Sequence, residues 1–197
     1  MVISFFPLNG LIAEWNLSLP LPDAMVEYEK QIESTVKRFL QMPTIGDLAV
    51  NIIVIALVAA LAEEILFRGL IQKLLFEKLQ NHHSAIWISA IVFSAIHFQF
   101  SGFFPRMLLG VLFGYLFYWS KSLWYPIIAH FFHNGITVVF VYFYGIDAVE
   151  EMGADSTSSS QLALTIAGTA IFVGLVLQFY RRYRVENKPT VFNEEIG

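Results

Sequence analysis

Apolar residues run through this chain in five long segments set between short polar breaks. The first begins near Gly46 as "LAVNIIVIALVAALAEEILF" and continues into "RGLIQKLLFEKL", longer than the roughly 20 residues that cross a bilayer. The others are "SAIWISAIVFSAIHFQF", "FFPRMLLGVLFGYLFYW", "LWYPIIAHFFHNGITVVFVYF" and "LALTIAGTAIFVGLVLQFYRRY". Asn81, His82, His83 and Ser84 supply the turn after the first, where both histidines are expected to be solvated, and the acidic, Ser-rich "GIDAVEEMGADSTSSS" is the one long linker. Upstream, residues 1 to 22 are broken by Pro7, Asn9-Gly10, Pro20 and Pro22, and read as an interfacial segment or loop. From Asp23, a candidate N-cap, Tyr28, Ile32, Val36, Phe39 and Leu40 recur at helical spacing among charged residues, predicting an amphipathic surface helix that ends near Pro43. The pattern therefore predicts an all-α, polytopic transmembrane helical bundle of about five spans with an N-terminal amphipathic interfacial helix. Its divisions are 1–43 for the interfacial segment and helix, 44–184 for the membrane core and 185–197 for a C-terminal tail.

Composition strengthens that reading: 56% of residues are hydrophobic, 14% are charged, and the mean hydropathy is +0.61. The lipid bilayer is the expected partner. A net charge of -4 with no broad basic face argues against nucleic acid, and the lack of cysteine excludes thiolate nucleophiles and Cys-based zinc sites. The first residues have neither the basic start nor the sustained apolar core of a secretory signal. Arg181, Arg182 and Arg184 place the C-terminus in the cytoplasm by charge bias, and alternation then puts Lys121, Lys73 and Lys78 inside and Arg106, the exception, outside.

Ionisable side chains inside such spans cost at least about 2.5 to 3.5 kcal/mol each, so they need a partner or a purpose. The first segment carries Glu63, Glu64 and Arg68, the second His97, and the fourth His130, His133 and Asn134. Glu64 and Arg68 are four apart and share a helix face, where they can pair. Glu63 is rotated from Glu64 by about 100° and is left to face something else. Phe93 and His97 also share a face, as do His130 and Asn134. Such a set can activate a water with a carboxylate and an imidazole, and can hold a tetrahedral intermediate with a second imidazole and a carboxamide. It also contains two His and one Glu, the donors of some zinc sites. His133 reads as a neighbour, and Ser89 and Ser94 as side chains bonded back to their own helix. The Gly-x-Ser-x-Gly and His-Glu-x-x-His motifs are absent.

Glu63-Glu64-x-x-x-Arg68, Phe93-x-x-x-His97 and His130-x-x-x-Asn134, in that order on successive apolar helices, resemble the CAAX-protease and bacteriocin-processing family, also called Abi or lysostaphin-resistance-protein-A-like. The resemblance covers about residues 46 to 145. It implies an intramembrane peptidase in which Glu63 and His97 activate water and His130 with Asn134 forms the oxyanion site. Glu64, Arg68 and Phe93 support them. The implied substrate is a membrane-associated protein or peptide cut near its terminus, CAAX-type and prenylated in one branch, and the implied home is a bacterial inner membrane. The resemblance leaves open whether the site works without a cofactor or with a divalent metal such as zinc, whose ligands would be Glu63, His97 and His130. Other members are non-catalytic immunity or scaffold proteins, and a Glu-His pair at depth also suits a proton or ion transporter. Family members carry further spans before the double glutamate, where this sequence has residues 1 to 22 and the amphipathic helix.

Overall fold

In a computed structural model, the backbone is described for residues 1–146, 148 and 159–186, and for side chains in the last stretch over 162–183. The acidic linker, for the most part, and the tail from 187 lie outside the described residues. The described chain is helical without strands. The helices are α1 (Val2–Leu17), α2 (Asp23–Phe39), α3 (Ile45–Leu79), α4 (His82–Ala95), α5 (Phe103–Ser120), α6 (Trp124–Tyr144) and α7 (Ser159–Glu186). Four of them are long and apolar enough to cross a membrane: α3 with 35 residues, the helix that includes α5, α6, and Leu162–Tyr183 of α7. The shorter α4, with 14 residues, lies among them and makes five spans the natural description. Large apolar side chains such as Val54, Leu57, Ile65, Ile128, Leu164 and Ile171 are exposed, as lipid-facing surfaces require.

Thr44 starts α3 with a reciprocal cap, its side chain accepting from the Asp47 N–H while the Asp47 carboxylate accepts from the Thr44 N–H. Two stretches of α3, Ile52–Val58 and Ile65–Ile71, widen into π-helical turns, and they bracket the short α-helical piece Ala59–Glu64. Inserted π-turns are concentrated at functional sites because they re-aim side chains without ending the helix.

Within residues 1 to 22, expected as an interfacial segment or loop, Val2–Leu17 form α1 and pack into the bundle. Val2 and Phe5 join Leu109, Leu112, Phe113 and Leu116 of α5 in one apolar cluster, with Phe172, Val176 and Phe179 of α7 against it. Gly168 of α7 leaves room for Pro7, since a Cβ there would stand 3.0 Å from the proline ring. Asn16, almost fully buried, donates to the Phe100 carbonyl at 2.9 Å and accepts from the Phe104 N–H at 2.9 Å. Glu29 of α2 accepts from the N–H groups of Phe100 and Ser101, so the tight turn Phe100–Gly102 is held from both upstream helices. Asn51 of α3 ties the end of α2 by donating to the Phe39 carbonyl at 2.7 Å.

One expectation on polar side chains is corrected. Ser89 and Ser94 donate away from their own helix, to the carbonyls of Phe67 at 3.3 Å and Phe103 at 2.6 Å, because a buried hydroxyl between packed helices finds a nearer acceptor across the interface. His82 and His83 open the first turn of α4, His83 exposed as expected and His82 half-buried. His82 stacks on Phe76 with ring centres 3.7 Å apart, and His83 Nδ1 lies 2.7 Å from the Tyr115 hydroxyl.

Candidate active site

Arg68 and Gln72 are four residues apart on α3 and both reach α5. Arg68 Nη2 donates to the Gly110 carbonyl at 2.7 Å and Gln72 Nε2 to the Gly114 carbonyl at 3.3 Å. Gly110 and Gly114 also bring α4 close to α5, because a Cβ on Gly110 would meet Ala90 at 3.1 Å and one on Gly114 would meet Ile86 at 2.8 Å and the Gln72 side-chain oxygen of α3 at 3.0 Å. Gly110-Val111-Leu112-Phe113-Gly114 is the small-residue spacing that lets membrane helices close on one another. That spacing was the available sequence signal for this contact, which the motif reading did not use.

Arg68 and Glu64 are both almost wholly buried, and Arg68 Nη1 donates to Glu64 Oε1 at 2.7 Å. The same carboxylate oxygen lies 2.8 Å from Nδ1 of His130, which is 5% exposed on α6. A carboxylate only accepts, so Nδ1 carries the proton, and the ring turns Nε2 toward Glu63. Aromatic rings close the surroundings. Arg68 stands 4.9 Å from the Phe93 ring centre and 5.4 Å from that of Phe113, and Phe113 also stacks on His130 at 5.0 Å. Phe93 meets His130 and His97 edge-on, at 6.2 and 5.3 Å.

Glu63 lies outside this lock. Its Oε2 is 3.8 Å from His130 Nε2, too long for a direct hydrogen bond, and its side chain is 28% exposed. His97 is half-buried and holds its ring by Nδ1 against the Phe93 carbonyl at 2.8 Å. It stands within electrostatic reach of His130 and Arg106. Asn134 donates Nδ2 to the Ile55 carbonyl at 3.0 Å, within the first π-helical stretch of α3. His133 turns away from the Glu63 side and stacks on Phe6 of α1 at 4.7 Å.

The sequence-marked residues Glu63, Glu64, Arg68, Phe93 and His130 thus meet around one centre, with His97 joined through Phe93. Asn134 follows one turn along α6, engaged with α3. Arg106 joins this centre although the sequence marks it only as an exception to charge bias. Glu63 and Glu29 are the carboxylates facing it. Among the described residues no three His, Asp or Glu side chains are grouped so as to hold a metal ion, so Glu63, His97 and His130 do not fit a metal in this arrangement.

Comparison with known proteins agrees with the motif reading. Residues 45–136 match the family described as Type II CAAX prenyl endopeptidase Rce1-like. The uncharacterized protein YpbD of Bacillus subtilis (strain 168) is 30% identical over 90 residues, 44% of this chain and 43% of that protein. YdiL of the same organism is 34% identical over 88 residues, 45% and 36% of the two chains. The membrane-embedded CAAX protease MroQ of Staphylococcus aureus (strain USA300) is 32% identical over 92 residues, 44% and 37%. The matched stretch spans less than half the length of each of these relatives. No solved structure matches.

Proposed function

We propose that this chain, whose residues 45–136 match the family described as Type II CAAX prenyl endopeptidase Rce1-like, is an intramembrane endopeptidase. It hydrolyses a peptide bond near the terminus of a membrane-associated protein or peptide, with a prenylated, CAAX-type chain as the substrate class. The observation that carries the reading is the division between two adjacent acids. Glu64 is buried and spent on Arg68 and His130, while Glu63 stands free of the lock, 3.8 Å from the Nε2 that the lock aims at it.

In the proposed step a water between Glu63 and His97 attacks the scissile carbonyl carbon, and Glu63 takes the water's proton. The carbonyl oxygen becomes an oxyanion facing His130 and Asn134. Asn134, whose carboxamide has two N–H bonds, donates the one not given to Ile55, and His130 faces the same oxygen through Nε2. Collapse breaks the C–N bond as Glu63 passes its proton to the leaving amine. Phe93, Glu64 and Arg68 hold these groups in place without touching the reacting atoms.

An apolar groove of about 390 Å³ between α3 and α6, lined by Ile52, Phe131, Gly135, Val139 and Phe143, supports a lipid-borne substrate. The protein is integral to the membrane. A bacterial inner membrane with the C-terminus in the cytoplasm fits the Arg181 and Arg182 pair at the end of α7.

Profiling new peptide termini in membranes of cells expressing wild type or Glu63→Gln at matched levels tests the proposal without a guessed substrate. Termini that arise only with wild type are expected. Identical profiles from two folded proteins would overturn it and favour a non-catalytic immunity or scaffold role.

A further inference from the structure

Arg106 has no part in the hydrolytic scheme, yet it faces the same centre from the first turn of α5. Its guanidinium is half-buried and folds back on the turn before it. Nη1 points at the carbonyls of Ser94 and Gln99 at 3.5 and 3.4 Å, and Nη2 at the Gln99 side-chain oxygen at 3.2 Å. These are long contacts to neutral acceptors. Among the described residues no carboxylate forms an ion pair with it. Glu29 is committed to the N–H groups of Phe100 and Ser101, and Glu63 has His130 as its near neighbour.

The surroundings are built to keep the fork in place and approachable. Gly102 packs directly on Nη2, where a Cβ would stand 2.8 Å away, so any larger residue would displace the guanidinium. Asn16 and Glu29 fix the turn that carries Gln99 and Gly102. A planar guanidinium held in position but matched only by neutral oxygens lacks its strongest partner, a carboxylate engaged by two parallel N–H bonds. Holding it in advance reduces the ordering cost of receiving one.

We propose that Arg106, oriented by Gln99, receives the free C-terminal carboxylate of the substrate chain. The proposal rests on the peptidase reading and deepens it, because a carboxylate anchored here sets the scissile bond a short, fixed distance from the chain end. Arg106 is then a specificity-determining residue. A charge-assisted hydrogen-bonded contact of this kind is worth about 1.5–3 kcal/mol, or about 10- to 150-fold in affinity.

The test separates binding from turnover. Full-length Glu63→Gln protein in nanodiscs is titrated with a fluorescent, S-farnesylated CAAX-type peptide ending in a free carboxylate, and with the same peptide as its C-terminal amide. The acid is expected to bind at least about 10-fold more tightly. Adding Arg106→Gln should bring the ratio close to one, chiefly by weakening the acid, while binding of the amide shows that the protein is folded. If Arg106→Gln fails to fold, Arg106→Lys replaces it and should keep only part of the preference. Equal binding of acid and amide with Arg106 intact, binding of neither, or an equal loss for both on substitution would overturn the carboxylate site. A clear acid preference with no cleavage by wild type would support the site and count against the peptidase reading.

Discussion

Glu64 and Glu63 share a peptide bond but not an environment. Glu64 points into the contact of α3 with α5 and α6, where Arg68 and His130 meet one of its oxygens at 2.7 and 2.8 Å and no solvent reaches it. Glu63, about 100° round the same helix, stands 3.8 Å from His130 Nε2 and stays 28% exposed. The same side chain is therefore a structural anion in one position and an available base in the next. What separates them is the number of donors that the neighbouring helices bring to each.

The largest effect that would sharpen the contrast is on turnover. Glu63→Gln should lower kcat by up to about 10⁴-fold, the upper range for a general base, with an unchanged unfolding temperature. Substantial remaining turnover would remove Glu63 from the mechanism. Next is stability: Arg68→Met leaves Glu64 buried without its cation and should cost about 3–5 kcal/mol, read by unfolding in detergent. A near-native melt would mean that the lock is not what holds α3 to its neighbours. Asn134→Ala should reduce kcat by about 10²- to 10³-fold with little change in KM, as for an oxyanion donor. A pure loss of stability would instead make its bond to Ile55 its whole role. The smallest effect belongs to the helix contact beneath the site. Gly114→Ala sets a methyl 2.8 Å from Ile86 and 3.0 Å from the Gln72 side-chain oxygen, and should destabilise by about 1–3 kcal/mol.

Most of the fold is legible from apolar run length, since a span must be long and unbroken to satisfy its backbone in lipid. Helix α2 is legible because its apolar residues keep a helical period. Helix α1 is not, because Pro7 and Asn9-Gly10 read as breaks. Its helix persists through contacts that local sequence does not reveal, among them Val2 and Phe5 against α5 and Asn16 against the Phe100–Gly102 turn. The π-helical stretches on either side of the two glutamates leave no mark in the apolar pattern, yet one of them carries the carbonyl that engages Asn134.

Within the site, the Glu64–Arg68 pair is legible from its four-residue spacing, and the release of Glu63 follows from helical rotation. The link from His130 to Glu64 is not, because it joins residues 66 apart in sequence and depends on how α6 packs on α3. Arg106 illustrates the limit of charge counting. Read along the chain it is a cation on the wrong side of the membrane, whereas in the fold it faces Glu63 and a structured turn. A cation used inside the site does not weigh against the charge-bias orientation.

The division of labour between the two acids is tested most directly by thermal unfolding of Glu63→Gln and Glu64→Gln, side by side in the same detergent. Each change removes one charge and keeps the side-chain shape. A melt at the wild-type temperature for Glu63→Gln and a marked fall for Glu64→Gln are predicted. Equal falls, or a fall for Glu63→Gln alone, would contradict the assignment of Glu64 to the scaffold and Glu63 to the chemistry.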